Sequence, residues 1–324
     1  MTENSKDKPG YDLLALGEAL VDLISSTESS SLTEAASFER YRGGQPTNLA
    51  ANMALLGKRT AVAATVGEDG FGHYVYKQLA ASNVATDFVQ FTSQAATSMA
   101  VITRHTGTAD FVIARGADAY LQPSSLLEKA AANSRVVHTS AFGLSRQPAR
   151  TTILDALEVA REAGGFISLD PNYHPKIWPD TPDFLAILKS ACQFVEVTKP
   201  SLDDCGRLFG VDHKPAFYAQ KFLDWGCQIV ILTLGAQGLL LPTAAGDLYE
   251  FTGNAIRVVD ATGAGDAFWA GFLSALLDGS SIIDAARVGQ IVAEIKLGTV
   301  GPIRRLPARD DLIRRANSIH YRKV

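Results

Sequence analysis

Residues 258–277, VVDATGAGDAFWAGFLSALL, combine an apolar strand, a turn of small residues and a carboxylate. The strand is predicted to end at Asp260, and a helix is predicted to begin at or just after Asp266. Small residues between them let backbone N–H groups converge at a helix N-terminus, where unpaired amides and the helix dipole favour negative charge. The segment therefore predicts an anion-binding turn. At this point Asp266 is open to two interpretations, a helix N-cap or a group that acts on a ligand held in the turn.

Two further segments carry residues that suit ligand contact. In GGQPTN, residues 43–48, a glycine pair permits close backbone approach, and the Asn48 amide can both donate to and accept from hydroxyl groups. The second segment, TLGAQG at 233–238, follows the apolar run IVIL, and ligands of open α/β sheets collect beyond the carboxyl ends of strands. Taken alone, each segment also fits an ordinary loop.

The familiar phosphate-binding motifs are absent from the sequence. The Gly57–Lys58 pair is followed by Arg59, where a Walker motif has serine or threonine, so the sequence does not match that motif. A dinucleotide-binding GxGxxG fails because Phe268 stands where the last glycine would be. The HRD and DFG elements of protein kinases are also missing. A phosphate site at the glycine turn must therefore be of another type.

Composition excludes several classes of protein. The chain has 324 residues, 47% hydrophobic and 20% charged, which suits a folded protein with room for one large domain or a large and a small one. A net charge of −4 gives no pull towards phosphate backbones or anionic lipids, so we expect neither nucleic acid nor membrane as a partner. The three cysteines, without CxxC spacing or a signal-peptide pattern, predict reduced thiols in the cytoplasm.

Apolar runs that alternate with segments of helical period predict an α/β protein with a mostly parallel sheet covered on both faces. Residues 22–42 and 96–119 break this rhythm, because they alternate without a helix and contain turn residues such as Gly107. We expect antiparallel hairpins there, forming a β-sheet lid inserted into a large domain of residues 11–21, 43–95 and 120–324. Residues 1–10 are predicted to be a disordered leader, and 314–324 a solvated helix end.

Together, GGQPTN, TLGAQG and DATGAGDAF resemble in order and spacing the signature elements of the PfkB-type (ribokinase-like) carbohydrate kinases. The resemblance extends from GEALVDLI at 17–24 through DPNYHPKIWPD at 170–180 to the C-terminal helices. It implies a ribokinase-like fold, in which a mostly parallel sheet flanked by helices carries a small β-sheet lid. It also implies an enzyme that transfers the γ-phosphate of ATP to a sugar hydroxyl.

The resemblance assigns roles to individual residues. Asp266 matches the general base that accepts the proton of the attacking hydroxyl. The turn amides that would stabilise the transferred phosphoryl group belong to Gly263, Ala264, Gly265 and Asp266. The positions matched to the sugar site are Asp22, Gly43, Gly44, Asn48, Arg115 and His174. Those matched to the ATP site are Lys199, Ser201, Thr233, Gly235 and Gly238.

Two cation sites are also implied. Mg²⁺ is expected with ATP, and Asp204 stands where the family commonly has the glutamate of an Asn-x-x-Glu element that orders magnesium-bound water. Ser201 replaces the asparagine of that element. A monovalent cation, K⁺, is a further hypothesis, because Asp260 and Thr262 stand where many relatives hold one. Ala261 replaces the more usual threonine or proline there.

The charged residues expected around the sugar predict which sugar is bound. GEALVDLI and DPNYHPKIWPD are most similar to the branch that contains fructokinases and 2-keto-3-deoxygluconate kinases. The acidic sugar requires a fixed cation, and Arg115 matches a pocket-facing lid arginine of that branch. His174 replaces a common arginine, however, and Ile113 replaces an aromatic residue. We therefore predict a fructokinase, with 2-keto-3-deoxygluconate kinase, or less favourably ribokinase or nucleoside kinase, as alternatives. The missing charge could be restored by Arg42, Arg104 or Arg146.

The resemblance also predicts partners. The expected ligands are a small sugar and ATP, and the lid is expected to form a homodimer interface because its exposed edges need cover. A non-catalytic sugar-binding protein of the same fold is disfavoured, since both Asp266 and the turn glycines are present.

Overall fold

A seven-stranded sheet in which neighbouring strands all pair in parallel forms the centre of the molecule, in the order β11-β10-β9-β8-β1-β4-β5. The computed structural model describes residues 10–104, 110–178, 181–254 and 256–324. Their strands are β1 (Leu13–Leu16), β2 (Leu20–Glu28), β3 (Phe38–Gly43), β4 (Thr60–Gly67), β5 (Val84–Thr92), β6 (Met99–Arg104), β7 (Phe111–Ala114), β8 (Val136–Ser140), β9 (Phe166–Asp170), β10 (Val197–Thr198), β11 (Ile229–Val230), β12 (Leu232–Thr233), β13 (Gly238–Pro242), β14 (Leu248–Thr252) and β15 (Tyr321–Lys323).

Helices cover both faces of this sheet. They are α1 (Gln45–Leu55), α2 (Gly70–Ala81), α3 (Ser125–Asn133), α4 (Ala149–Glu162), α5 (Thr181–Cys192), α6 (Leu202–Phe209), α7 (Pro215–Asp224), α8 (Ala264–Leu277), α9 (Ile282–Leu297) and α10 (Arg309–Ala316). Apolar residues of α1, α2, α8, α9 and α10 form one core, and those of α3 to α7 form the other. The predicted α/β class with a parallel sheet covered on both faces is confirmed.

Alternation along the central strands builds the two cores. Leu13 and Ala15 of β1 face the first core, whereas Leu14 and Leu16 face the second, and all four are fully buried. Successive side chains of a strand point to opposite faces, so a strand buried on both sides is apolar throughout. This is why the central strands appear in the sequence as continuous apolar runs.

A small four-stranded sheet, in the order β3-β2-β6-β7, lies apart from the central one. Its outer pairs, β2 with β3 and β6 with β7, are the antiparallel pairs that the alternating pattern predicted. The central pair, β2 with β6, is parallel, which the prediction of hairpins alone did not include. A parallel pair arises because β2 and β6 come from two separate insertions that enter the sheet in the same direction. Gly107 lies outside the described residues.

A third sheet, β12-β13-β14-β15, corrects the prediction for residues 314–324. The helix ends at Ala316, and residues 321–323 form a strand that pairs antiparallel with β14. Tyr321 stacks on Phe251 at a ring-centroid distance of 5.5 Å, and Arg322 is ion-paired with Glu250. These cross-strand pairs explain why a polar, basic segment is ordered as a strand.

Two further observations concern membrane-spanning helices and the cysteines. Among the described residues no helix combines the length and the apolar character required for a membrane span. The thiols Cys192, Cys205 and Cys227 are buried and free, as the sequence predicted.

Candidate functional site

The glycine turn places Asp266 in the first turn of helix α8. The predicted strand that ends at Asp260 is wrong, because residues 256–263 form a loop between β14 and α8. The helix begins at Ala264, two residues earlier than the sequence predicted, because Gly263 adopts a left-handed conformation (φ 75°) and takes the N-cap position. Glycine adopts this conformation without the steric cost of a Cβ atom. Gly265 and Asp266 are therefore helical, and the Asp266 side chain does not cap the helix. The N-cap interpretation of Asp266 is thus replaced by a carboxylate that projects from the first turn.

A hydrogen bond joins Asp266 to helix α1. The Asn48 Nδ2 atom donates to Asp266 Oδ2 at 3.0 Å, and Asn48 Oδ1 accepts from Arg42 Nη2 at 3.5 Å. A cavity next to these groups is lined by residues of the small sheet, helix α1, the glycine turn and the segment after α9. Its lining comprises Asp22, Ile24, Tyr41, Arg42, Asn48, Asn52, Asp260, Thr262, Gly263, Lys296, Gly301, Pro302 and Ile303.

The glycine pair at 43–44 makes room for two acidic residues. A Cβ atom on Gly43 would lie 2.3 Å from the carboxyl carbon of Asp22, so the Asp22 side chain packs directly over this glycine. Gly44 has a φ of 101°, and a Cβ atom there would lie 2.3 Å from the Glu18 carbonyl oxygen. The Glu18 carboxyl group accepts from the Gln45 backbone N–H at 2.9 Å and so holds the start of α1, where Gly44 offers no capping side chain.

Burial raises the pKa of several carboxyl groups in the site, among them Asp266 and Asp22. The pKa of Asp266 rises to about 7 by burial and by the neighbouring charge of Asp170, against the hydrogen bond from Asn48 and the charges of Lys199 and Lys296. The pKa of Asp22 also rises to about 7, by burial and by the charge of Asp266. Such values suit a group that accepts a proton near neutral pH.

Lys199 lies beside the glycine turn on a different strand end. Its ammonium is 3.2 Å from Asp170 Oδ2, and both side chains are buried. Asp170 also accepts from the Trp269 indole N–H at 2.8 Å, which ties the end of β9 to helix α8. A Cβ atom on Gly265 would lie 3.2 Å from Lys199 Nζ, so this cation borders the predicted anion site.

The remaining predicted ATP-site residues have clear structural partners. Ser201 and Asp204 form a capping box at the start of α6, and burial raises the pKa of Asp204 to about 6. Thr233 ends β12 and forms a bridge with Ser201. Gly235 has a φ of 59° and open space around it. Gly238 is required by packing, because a Cβ atom there would lie 2.0 Å from the Phe251 carbonyl oxygen.

Lys296 occupies the region predicted for a monovalent cation. Its ammonium lies 3.1 Å from Asp260 Oδ2, and the Thr262 backbone N–H donates to Asp260 Oδ1 at 3.0 Å. Burial would raise the pKa of Asp260, but the Lys296 charge and the Thr262 N–H outweigh it and hold the pKa below its usual value. The Lys296 ammonium thus makes the contact with Asp260 that the predicted monovalent cation would make.

Arg115 and His174, the two residues considered for recognition of a charged sugar, contact other groups of the protein. The Arg115 guanidinium forms an ion pair with Asp118, which is fully buried, donates to Ser145 Oγ and stacks 4.0 Å from the centre of the Phe142 ring. His174 packs edge-on against Phe111 of the small sheet. Burial, Arg207 and Lys176 lower the pKa of His174, so it is neutral at neutral pH. Residues 179 and 180 of the same segment lie outside the described residues.

Sequence reasoning missed three residues of this site. Glu18, Asp170 and Lys296 belong to the motifs or to neighbouring helices, but no role was given to them. Asp170 stands first in DPNYHPKIWPD, at a predicted strand end, which is a signal that could have been used. Lys296 offered a weaker signal, one charged residue among several in α9, and nothing in the sequence pairs it with Asp260.

Fold and site together define a class of protein. A parallel α/β sheet with a small second sheet, and a carboxylate beside a helix-start amide turn at the sheet edge, are the parts needed to phosphorylate a small alcohol. The sequence model described as pfkB family carbohydrate kinase matches residues 11–309, and the chain belongs to this family. It is an ATP-dependent sugar kinase.

Individual relatives share most of their length with this chain. An ATP-dependent 6-phosphofructokinase from Thermoanaerobacterium thermosaccharolyticum is 36% identical over 306 residues, 94% of each chain. The structure of a fructokinase from Halothermothrix orenii is 34% identical, with a TM-score of 0.75, over 90% of this chain and 100% of that one. A fructokinase double mutant from Vibrio cholerae O395, with fructose, ADP and potassium bound, is 26% identical with a TM-score of 0.80, over 94% and 98%.

These similarities confirm the predicted family, its fructokinase-containing branch and the ribokinase-like fold. The bound ADP and potassium of the Vibrio cholerae structure agree with the expectation of ATP and a metal ion. The roles of the individual site residues, including Asp266, stay predictions. A sugar phosphate, the substrate named for the Thermoanaerobacterium relative, is a possibility that the sequence analysis did not weigh.

The raised pKa of Asp266 predicts the pH dependence of activity. Asp266 accepts a proton only as a carboxylate, so kcat/KM should fall on the acid side of about pH 7, where Asp266 and the coupled Asp22 become protonated. The measurement is a pH profile of initial rates. Asn48→Ala removes a hydrogen bond that lowers the pKa of Asp266, so its acid limb should move to higher pH.

Asn52→Ala is the matched control, because Asn52 lies one turn further along α1 and lines the same cavity. Its acid limb should stay where the unmodified protein has it. A wild-type profile that is flat down to pH 5 would contradict the role of burial at Asp266.

Proposed function

We propose that this sugar kinase phosphorylates fructose, with Asp266 as the general base. The observation that carries the proposal is the position of the Asp266 carboxylate, in the first turn of α8, next to the amides of the glycine turn and in contact with Asn48. A base must lie within hydrogen-bond reach of the hydroxyl that it deprotonates, and it acts best with a pKa near the working pH.

The proposed reaction uses the two sides of the cavity differently. Asp22 and Asn48 hold hydroxyl groups of the sugar, and Asp266 accepts the proton of the hydroxyl that attacks the γ-phosphate. The amides of Gly263, Ala264, Gly265 and Asp266 stabilise the charge that develops on the transferred phosphoryl group. Lys199, ion-paired with Asp170, borders Gly265 on the same side, and an ammonium has three N–H donors, so it can still donate to a phosphate oxygen there.

ATP is proposed to bind along the edge formed by Lys199, Ser201, Thr233, Gly235 and Gly238, with Mg²⁺ on its phosphates. Mg²⁺ needs only one or two protein carboxylates when phosphate oxygens supply other ligands, so a lone carboxylate at Asp204 fits this role. Among the described residues no cluster of three metal-ligating side chains offers an alternative site. The ion supplies neutralisation of phosphate charge, and Asp204 would hold it through water.

At the positions of Arg115 and His174, the charges suit a neutral sugar better than an acidic one. The Arg115 guanidinium is neutralised by Asp118, and His174 carries no charge at neutral pH. A substrate carboxylate, as in 2-keto-3-deoxygluconate, would therefore meet no free cation at the two positions considered for it. The carboxylates of Asp22 and Asp266 add repulsion against a negative group, whereas Arg42, which lines the same cavity, attracts one.

The small sheet is proposed to act as a lid, made of residues 22–42 and 96–119, that closes over the sugar and excludes water. The rest of the chain, residues 11–21, 43–95 and 120–324, then forms the large domain. We place the enzyme in the cytoplasm, where ATP and sugar are available, and the three free thiols suit a reducing compartment.

A second candidate substrate is a phosphorylated ketohexose, which the Arg42 side chain favours. Arg42 is 6% exposed and lines the cavity, yet its Nε and Nη1 atoms have no hydrogen-bond partner among the described residues. Buried guanidinium groups normally pair with anions, and a substrate phosphate would supply one. The similarity to a 6-phosphofructokinase supports the same reading.

Replacing the base tests the mechanism. Asp266→Asn keeps the size and position of the side chain but cannot accept the proton, so turnover should fall at least ~10²-fold. Binding of ATP and of sugar, measured by calorimetry, should be retained. Asp310→Asn, the same replacement at an exposed position in the first turn of α10, is the control for nonspecific loss. Near-normal turnover of Asp266→Asn would contradict the proposal.

A substrate comparison with Arg42 variants separates the two candidates. For a fructokinase, kcat/KM with fructose should exceed that with fructose 6-phosphate, 2-keto-3-deoxygluconate, ribose or adenosine by at least ~10-fold. If fructose 6-phosphate is instead preferred, Arg42→Gln should reduce that activity by roughly 10- to 100-fold, the effect of a lost charged hydrogen bond. Arg40→Gln, at an exposed position on the same strand β3, is the matched control.

The lid is also proposed to form a homodimer interface. Strands β3 and β7 are the two edges of the small sheet, and Val112 of β7 is 55% exposed. Val112→Glu should shift the mass measured by sedimentation equilibrium from dimer to monomer. Val211→Glu, at an equally apolar and 80% exposed position outside the small sheet, should leave the mass unchanged. A monomeric wild-type protein at micromolar concentration would contradict the interface.

A further inference from the structure

A buried ammonium group lies where a bound cation would be expected. Lys296 belongs to the last turn of α9 and is 4% exposed. Its Nζ atom donates to three oxygens: Asp260 Oδ2 at 3.1 Å, the Asp260 carbonyl at 3.4 Å and the Thr299 carbonyl at 3.0 Å. An ammonium has three N–H donors and no acceptor, so these contacts satisfy it completely.

The three acceptors form a set that suits a metal cation equally well. A carboxylate and two backbone carbonyls are hard oxygen ligands, and they converge here on one point. The Asp260 carboxylate has little capacity left, because Oδ1 accepts from the Thr262 N–H and Oδ2 also accepts from the Gly301 N–H at 3.1 Å. A potassium ion at Asp260 and Thr262 therefore does not fit while Lys296 is in place, since two positive charges would share one carboxylate.

The position of this ammonium connects it to the catalytic turn. The Lys296 Cε atom would lie 3.8 Å from a Cβ atom on Gly263, directly beneath the glycine turn. The loop that precedes the turn is also attached to the end of α9, since the Val259 N–H donates to the Leu297 carbonyl at 2.8 Å. Lys296 thus holds together the two chain segments that must stay in place for the turn amides to converge.

We propose that Lys296 is a built-in replacement for a monovalent cation, a positioning residue that fixes the glycine turn and makes the kinase independent of potassium. The ammonium is covalently attached, so it is always present and needs no binding from solution. The role rests on the proposed sugar kinase reaction for its activity readout. In the Vibrio cholerae fructokinase the structure contains a potassium ion, and this chain would reach the same function with its own side chain.

The first test uses the unmodified enzyme. Initial rates are measured at constant ionic strength in chlorides of potassium, ammonium, sodium and tetramethylammonium, with nucleotide and buffer free of alkali metal. The rates should agree within about two-fold, because no cation site is open. Stimulation by potassium of about ten-fold or more over tetramethylammonium would overturn the proposal.

The second test removes the Lys296 side chain, so that a cation from solution can bind at Asp260. In Lys296→Ala the ammonium and its stem are removed, so turnover in tetramethylammonium should fall at least ~10-fold, and potassium or ammonium ions should restore it. Lys296→Met keeps the bulk of the stem, carries no charge and leaves no room for an ion, so it should stay slow in every salt. Lys189→Ala, an exposed lysine of α5, should behave as the unmodified protein. A folded Lys296→Ala protein that keeps full rate in tetramethylammonium, or that no cation restores, would contradict the proposal.

Thermal unfolding distinguishes failure of this inference from failure of the proposed reaction. If no sugar is phosphorylated, the midpoint of unfolding still reports on the site. Potassium should raise that midpoint for Lys296→Ala but not for the unmodified protein, relative to tetramethylammonium at the same ionic strength. Equal midpoints of Lys296→Ala in both salts, or a potassium-specific rise in the unmodified protein, would overturn the inference whatever the substrate proves to be.

Discussion

The hydrogen bond between Asn48 and Asp266 holds the site together, because it joins helices whose contacting residues are 218 positions apart in the chain. Helix α1 follows the small sheet, and helix α8 follows the glycine turn, so this contact and the packing of α1 against α8 set the position of Asp266 relative to the small sheet. The Asn48 amide stabilises the charged form of the Asp266 carboxylate, together with the charges of Lys199 and Lys296. The geometry of the proposed reaction depends on that pairing.

Charge balance is the second constraint on this region. The carboxylates of Asp22, Asp170, Asp260 and Asp266 lie within one small volume, and three buried cations accompany them: Arg42, Lys199 and Lys296. Asp170 is paired with Lys199 and Asp260 with Lys296, which leaves Asp22 and Asp266 with pKa values raised to about 7. The paired carboxylates are structural, and the two with raised pKa are the groups to which the proposed reaction assigns proton transfer and sugar binding.

Much of the fold was predictable because local patterns and the final structure agree. Continuous apolar runs predicted the parallel sheet. Two segments of alternating polar and apolar residues, without a helix between them, predicted the small sheet. Strand β15 was not predictable, since a polar tail becomes ordered only when Tyr321 and Arg322 meet partners on β14. The parallel pairing of β2 with β6 likewise depends on how two distant insertions meet, which local pattern does not encode.

The site shows the same division between local and distant information. Asp266, Asn48 and Asp22 were identified through their motifs, and the structure brings them together. Arg115 was identified as a pocket cation, but its charge is taken by Asp118, three residues along the chain, in a bend that the sequence did not reveal. Lys296 was missed because its partner Asp260 lies 36 residues away and becomes its neighbour only when α9 packs against α8.

The most direct test of the account is a crystal structure of the protein with fructose and a non-hydrolysable ATP analogue. The account predicts a sugar hydroxyl within about 2.6–3.2 Å of an Asp266 carboxylate oxygen, facing a γ-phosphate held by the amides of the glycine turn. A complex in which the hydroxyl nearest the γ-phosphate contacts another carboxylate, with Asp266 directed away from both ligands, would contradict it.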